Sequence, residues 1–426
     1  MSRPGEAARA AALTLLDEVL GRGRMLDEAA LPRDLSPPDR ARALHLAALV
    51  LRRLGQIDAI LAGFLSRLPP ARVRMILRLM TAELLADGVP AHAAVSAAVA
   101  LAGREAATRR LKGLVNAVGR RVAAEGPALW AAQDAPALAL PGPFAARLVR
   151  AWGEEAARGI ARAMLAGAPL DLTVRDPAEA PALAARLGAE LLPTGSLRLA
   201  RPGQVSALPG FAEGAFWVQD AAAALPVRML GARLDGLSVL DLCAAPGSKT
   251  MQLAAAGARV TALDVSAVRM ARLAENLART GLAARTVVAD ALEWAPPEPF
   301  DVVVLDAPCS ASGTLRRHPD ILHRRATLDV APLAALQDRL LDRAWEWLRP
   351  GGRLLFVTCS LFPQEGEIRA RAFVSRHGDA EPVAPPPLAG VAPDWLAGGV
   401  LRLRPDLWAD RGGMDGFFAA LMRRRA

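Results

Sequence analysis

The chain has 426 residues, 53% of them apolar, which excludes wholesale disorder and leaves room for two or three domains with cores of their own. Its formal charge of +9 favours a polyanionic partner, nucleic acid before membrane. All but two of the 52 basic residues are arginines and tyrosine is absent, so this charge reflects a general compositional bias and is weak evidence alone.

The rare residues are informative against that background. There are two lysines, Lys112 and Lys249, and two asparagines, Asn116 and Asn276. The three cysteines, Cys243, Cys309 and Cys359, match neither a disulfide framework nor a close-spaced zinc site. No metal is expected, and a reducing, cytoplasmic setting fits. The opening Met1–Glu6 lacks the apolar core of a signal peptide, and no long uninterrupted apolar run predicts a membrane span.

Residues 6–125 carry helical periodicity almost throughout. Leu13, Leu16, Val19 and Leu20 share one helical face, and Asp39–Phe64 reads as one long helix. Arg72–Leu85 and Ala91–Leu101 follow, separated by the turn Gly88-Val89-Pro90, and Leu111–Val122 closes the set. About five helices with short loops predict an all-α bundle. The plain reading of His92 and Asn116 is that they cap helix ends or satisfy backbone there.

Pro127–Gly142, rich in Pro, Ala and Trp, reads as a boundary. Beyond it, Phe144–Leu165 is predicted helical, Pro169–Arg175 a strand, and Ala178–Gly188 a helix. These make a small α/β subdomain. Phe216–Ala224 is read as opening the next helix, with Asp220 as its cap and Gln219 beside it.

From Leu237 onward strands and helices alternate at βαβ spacing. Strands are predicted over Leu237–Leu242, Ala258–Asp264, Thr286–Ala289, Phe300–Asp306 and Arg353–Thr358, with late antiparallel strands near Leu401–Leu403 and Gly416–Met422. Asp241, Cys243, Asp264, Asp290, Asp306, Cys309 and Cys359 all fall at or just beyond strand ends, the edge that forms the crevice of an open parallel sheet. The first turn, Cys243–Lys249, lacks the pyrophosphate glycines of a dinucleotide site, which argues against an NAD-dependent reductase. An acid at the second strand suits an adenosyl ribose equally well.

Cys309 and Cys359 follow the fourth and fifth strands, whose loops can face one pocket. Two such cysteines are inert small hydrophobes, a redox pair, or a nucleophile with a helper. Methylation at C5 of a pyrimidine needs the last arrangement, because a thiolate adding at C6 makes C5 nucleophilic. An acid near the ring can hydrogen-bond N3, and Lys249 can hold that acid or stabilise the thiolate.

The ordered motifs Asp241–Thr250, Asp306–Ser310 and Thr358–Ser360 resemble the family of S-adenosylmethionine-dependent RNA cytosine-C5 methyltransferases. The N-terminal stretch is similar to the RNA-binding helical domain of NusB-type antitermination factors, through Met75–Leu85, Val89–Val95 and Leu114–Arg120. The resemblance implies a multidomain fold: an N-terminal all-α bundle over residues 1–126, a small α/β middle subdomain over 127–215, and a Rossmann-like class I methyltransferase α/β/α sandwich over 216–426. It implies S-adenosyl-L-methionine as cofactor, held by Cys243, Ala244, Ala245, Pro246, Gly247, Ser248 and Lys249, with Asp264 at the ribose, Asp290 beside the adenine, and Arg269 and Asp306 completing the site. Cys359 matches the nucleophile, Cys309 the cysteine that assists adduct breakdown and Asp306 the residue at the cofactor–cytosine junction, with Lys249 counted among the catalytic residues.

Softer matches are Ser266 and Asn276 on the second helix, a substrate-facing loop at Arg316-Arg317-His318, and Gly416-Phe417-Phe418 in a closing strand. Two departures are Phe356-Val357 before the Thr-Cys-Ser motif and Gly366 where the family usually has Asn. The implied target is cytosine 967 of 16S rRNA, free or in an early 30S assembly intermediate, acted on by a monomer without membrane contact. The same reaction on tRNA and a non-catalytic assembly factor are the alternatives. Intact cysteines and cofactor loop count against the second.

Overall fold

The computed structural model describes residues 5–32, 34–200, 203–323 and 329–426. Residues 1–4 of the segment read as lacking a signal-peptide core lie outside the described residues. The chain divides into two compact units, residues 1–167 with 315–328, and residues 168–314 with 329–426.

The first unit is helical. Its helices are α1 (Glu6–Leu16), α2 (Pro37–Arg52), α3 (Leu54–Ala62), α4 (Ala71–Leu85), α5 (Ala91–Arg104), α6 (Ala106–Arg109), α7 (Lys112–Ala131), α8 (Ala135–Ala139) and α9 (Gly142–Ala166). Ser36 caps α2 by accepting the Asp39 N–H, and Pro37 supplies a pre-set first helical residue. Leu13, Leu16, Leu46, Val50, Ile76 and Val122 meet in one fully buried core. Each such side chain contributes about 1.5–3 kcal/mol through area removed from water.

Several expectations change here. The helix expected over Asp39–Phe64 is interrupted at Arg53, whose backbone leaves helical geometry. Helix α7 runs through Pro127 to Ala131, beyond the Val122 at which the sequence pattern closes it. The long helix after it bends at Gly153, which has φ 82°. His92 is exposed at the second residue of α5 and Asn116 lies within α7, so neither holds a cap position.

Residues 315–328 belong to this helical unit. The Asp320 carboxylate accepts the Leu26 N–H at 2.9 Å, and the Arg52 guanidinium donates to the Arg316 carbonyl at 2.9 Å and to that of Met164 at 2.5 Å. Burial, with Arg53 and Arg316 nearby, pushes the Arg52 pKa down to about 10. His323 lies 3.3 Å from the Leu51 carbonyl, and burial lowers its pKa.

The second unit holds two sheets. The smaller has order β2-β3-β1-β4, formed by β1 (Leu170–Val174), β2 (Glu190–Leu191), β3 (Leu197–Leu199) and β4 (Phe216–Val218), all antiparallel. Helix α10 (Ala180–Leu187) packs on it through Leu183 and Ala184. Phe216–Val218 is thus a strand, not the helix start expected: its β-favouring aromatics pair with Leu172–Val174. The helix α11 (Ala221–Arg228) begins afterwards, capped by Asp220 as expected, whose carboxylate accepts the Ala222 N–H at 2.9 Å.

The larger sheet has nine strands. Its elements in chain order are β5 (Ser238–Leu242), α12 (Ser248–Ala255), β6 (Arg259–Asp264), α13 (Ala267–Thr280), β7 (Arg285–Val288), β8 (Phe300–Asp306), α14 (Ala331–Glu346), β9 (Leu348–Thr358), α15 (Glu367–Arg376), β10 (Ala380–Pro382), β11 (Leu396–Ala397), β12 (Val400–Leu403) and β13 (Phe417–Arg424). The strand order is β11-β12-β13-β9-β8-β5-β6-β7, with β10 also on β13. β7, β6, β5, β8 and β9 run parallel, and β13 joins β9 antiparallel. Val302–Leu305 are wholly buried, as a strand covered on both faces requires. The chain winds outward from β5 first through β6 and β7, then restarts at β8 on the other side. That reversal opens a crevice at the carboxyl ends of β5, β6 and β8. Among the described residues no helix is long and apolar enough to cross a membrane.

Candidate active site

The crevice begins where β5 ends. Asp241 is fully buried there, and its Oδ2 accepts the Thr250 hydroxyl at 2.5 Å, tying the strand to α12. Burial drives the Asp241 carboxyl up to about 7, against the Thr250 hydrogen bond. Cys243 then adopts φ 61°, uncommon for a residue with a side chain, and turns the loop sharply. Gly247 has φ 105°, and a Cβ there would stand 2.7 Å from Leu273 of α13. Only glycine meets both demands, so the loop lies flat on α13 and presents the first N–H groups of α12 to the crevice. Burial, followed by the carboxylates of Asp264, Asp306 and Asp241, holds the Cys243 thiol far above its ordinary value. Cys243 keeps its proton and packs, partly buried, against the core of the sheet.

Asp264, at the end of β6, is buried; it accepts the Ala245 N–H at 3.1 Å and the Ser266 N–H at 2.9 Å. Ser266 caps α13 through the Arg269 N–H, and the Arg269 guanidinium donates to the Ala245 carbonyl. Asp290 is exposed beyond β7, with Oδ1 on the Leu292 N–H at 2.8 Å. Two valines escape notice in the sequence: Val265 is 71% exposed and Val288 54% exposed, both at strand ends beside these acids. Exposed apolar surface flanked by acids suits a purine ring and a ribose diol. These residues fit S-adenosylmethionine.

Across the crevice, Lys249 donates to Asp306 Oδ2 at 2.7 Å. Burial opposes the ammonium, but the charge and hydrogen bond of Asp306 outweigh it, so the lysine pKa is raised. The ammonium also lies 5.4 Å from the Phe417 ring centre. The Asp306 side chain stays 33% exposed, open to a ligand.

Cys309 and Cys359 lie on the loops after β8 and β9 with their sulfurs 3.4 Å apart, both half-buried and free thiols. The Gly313 N–H donates to the Cys359 carbonyl at 2.9 Å, wrapping the first loop over the second. The hydrogen bond with Cys359, then burial and the negative charges of Cys359 and Glu365, push the Cys309 thiol well above its ordinary value. The two thiols are hydrogen-bonded to each other, and Cys309 keeps its proton.

Cys243 to Lys249, Asp264, Arg269, Asp290 and Asp306 therefore line one crevice, and Lys249, Asp306, Cys309 and Cys359 lie at its β8–β9 side. Gln219 buttresses it indirectly: its amide donates to the Gln252 side chain on α12 at 2.7 Å. Arg316 departs from expectation. It is wholly buried within the helical unit, Arg317 is half-buried and His318 is exposed, so the three do not form one open basic loop. Phe417 and Phe418 are buried, as core aromatics should be. The departure at Gly366 has a local cause. A Cβ there would stand 2.6 Å from the Arg402 guanidinium and 2.8 Å from the Phe418 ring.

Two family models match the chain. One, described as 16S rRNA methyltransferase RsmB/F, spans residues 229–423, and the other, the NusB family, spans residues 6–124. A Ribosomal RNA small subunit methyltransferase B of Xanthomonas campestris pv. campestris is 41% identical over 88% of this chain and 90% of its own length. The chain belongs to the RsmB/F family. The protein of the same name from Vibrio cholerae is 36% identical over 89% of this chain and 92% of its own. A solved methyltransferase homologue from Pyrococcus horikoshii superimposes with a TM-score of 0.54 at 28% identity, covering 66% of this chain and 94% of that one. This RsmB/F member is thus an S-adenosylmethionine-dependent methyltransferase with a NusB-like helical domain.

Proposed function

We propose that this enzyme methylates C5 of a cytosine in 16S rRNA, at position 967, through a covalent adduct between Cys359 and C6. The observation that carries this reading is the thiol pair, 3.4 Å apart, beside the Lys249–Asp306 pair at the mouth of the cofactor crevice. S-adenosylmethionine, when bound, supplies an electrophilic methyl group.

The target base leaves its stack to reach the thiols. The Cys359 thiolate adds to C6, forming an S–C6 bond and leaving C5 electron-rich. Asp306, anchored by Lys249, faces the ring and orients it through hydrogen bonding at N3 and the exocyclic amine. C5 then takes the methyl group. A solvent water takes the C5 proton as the S–C6 bond breaks, which restores the aromatic ring and returns the thiolate. Cys309, 3.4 Å from the departing sulfur, serves this last stage as a hydrogen-bond donor to the leaving thiolate. The NusB-like domain and the basic surface hold RNA by shape and charge, on free 16S rRNA or an early 30S assembly intermediate. The protein acts as a cytoplasmic monomer. Bisulfite sequencing of rRNA and tRNA from cells lacking the gene tests the target. One unmethylated cytosine in 16S rRNA is the expected result. Loss confined to a tRNA, or no loss at all, overturns it.

A further inference from the structure

The proposed chemistry needs two thiols held at a fixed separation, yet each sits on a loop, where backbone geometry is least constrained. Behind them lies Glu365, six residues beyond Cys359 and 0% exposed. Its Oε1 accepts the Ser310 N–H at 2.9 Å and a Gln337 amide N–H at 3.2 Å, and its Oε2 accepts the Ser360 hydroxyl at 2.6 Å. These three donors are neutral. Burying a carboxylate against neutral donors is costly, so an acid at this position is not explained by packing.

The positions of the donors explain it. Ser310 directly follows Cys309, and Ser360 directly follows Cys359. The preceding residues are tied into the same brace. Gln337 of α14 donates to the Pro308 carbonyl at 2.8 Å, and the Thr358 hydroxyl donates to the Glu365 carbonyl at 3.0 Å. Each cysteine is therefore fixed on both sides by Glu365 or by Gln337, its own hydrogen-bond partner. The Ser312 hydroxyl closes the gap between the loops. It accepts the Leu361 N–H at 2.9 Å and lies 3.3 Å from the Ser360 hydroxyl.

We infer that Glu365 is a positioning residue, whose carboxylate spans the loops after β8 and β9 and sets the separation of Cys309 and Cys359. A carboxylate is required because both of its oxygens must accept, one from each loop. An amide offers one acceptor oxygen. It leaves either the Ser310 N–H facing another donor, or the Ser360 hydroxyl turned away from its present partner. The inference rests on the covalent reading above.

The test uses the full-length enzyme with Glu365→Gln, Glu365→Ala and Ser360→Ala, assayed with labelled S-adenosylmethionine and a 16S rRNA transcript. Misplacing a reacting group by a fraction of an ångström to an ångström predicts a roughly 10- to 100-fold fall in kcat for the two Glu365 variants. KM for RNA and for cofactor is expected to stay within about threefold, because neither binding surface is touched. The covalent enzyme–RNA species, resolved on denaturing gels, is expected to accumulate, since release is the step that needs both thiols in register. Ser360→Ala, which removes one arm only, is expected to show the same signature more weakly, and it decides the matter if the Glu365 variants do not fold. An unchanged kcat in folded variants, a rise confined to KM, or a loss that merely tracks the folded fraction by thermal melting overturns the inference. If Cys309→Ala yields no covalent species, the covalent reading itself fails. If Cys309→Ala yields one and the Glu365 variants behave as wild type, only the role of Glu365 fails.

Discussion

At the scale of single residues, the proposed mechanism gives the two cysteines of the β8–β9 loops different tasks. Cys309 holds its proton because it is hydrogen-bonded to Cys359, is buried and faces the negative charges of Cys359 and Glu365. Cys359→Ala is therefore expected to abolish methyl transfer by at least about 1,000-fold with no covalent RNA species, as for loss of a nucleophile. Cys309→Ala is expected to form that species and release it slowly, seen as a band retarded on a denaturing gel. The reverse pattern would exchange the two roles. Asp241 leads to a prediction about pH. Its folded-state pKa is about 7 against an ordinary 3.8, so the folded chain holds this proton more tightly than the unfolded one. The stabilisation it brings is complete below about pH 4, declines as pH rises, and is gone above about pH 7. Urea unfolding should show wild type losing stability relative to Asp241→Asn by about 1 kcal/mol per pH unit across that window. Parallel curves would show that the carboxyl stays charged.

At the scale of elements, the loop from Cys359 to Glu367 is held from inside by Glu365 and from outside by Arg402. The Arg402 guanidinium donates to the Ser360 carbonyl at 2.6 Å and pairs with Glu367, and it stacks 5.0 Å from the Phe418 ring centre. It fills the space that a side chain at position 366 would occupy, which is why glycine stands there. Gly366→Asn is expected to cost about 1–3 kcal/mol by overpacking, read as a lower melting temperature. Pairing it with Arg402→Ala should recover part of that loss, whereas strictly additive effects would separate the two positions. The strands were legible from continuous apolar runs such as Val302–Leu305, and the crevice from acids and cysteines at strand ends. The brace was not legible, because Ser310, Ser312, Gln337, Ser360 and Glu365 carry no periodic signal and meet only through tertiary packing. Phe216–Val218 was misread as helix because an alanine-rich run follows it, and the pairing that makes it a strand lies more than 40 residues upstream.

At the scale of the whole molecule, two kinds of expectation fared differently. The all-α bundle and the doubly wound sheet follow from hydrophobic period, which survives compositional bias because it depends on spacing rather than residue type. Helix ends are less legible than helix faces. Helix α7 passes through Pro127, and α9 turns at Gly153 instead. The helical unit is also discontinuous in sequence. Residues 315–328, immediately after the Cys309 loop, complete it, with Asp320 on the Leu26 N–H and His323 against the Leu51 carbonyl. A ribosome making this chain finishes the bundle's first 167 residues long before it makes that segment. The nascent bundle therefore waits, with part of its surface uncovered, until the first four strands of the nine-stranded sheet have left the tunnel. Completion of the helical unit is thereby tied in time to synthesis of the Cys309 loop, and a fragment ending at residue 167 would be a bundle lacking one of its own pieces.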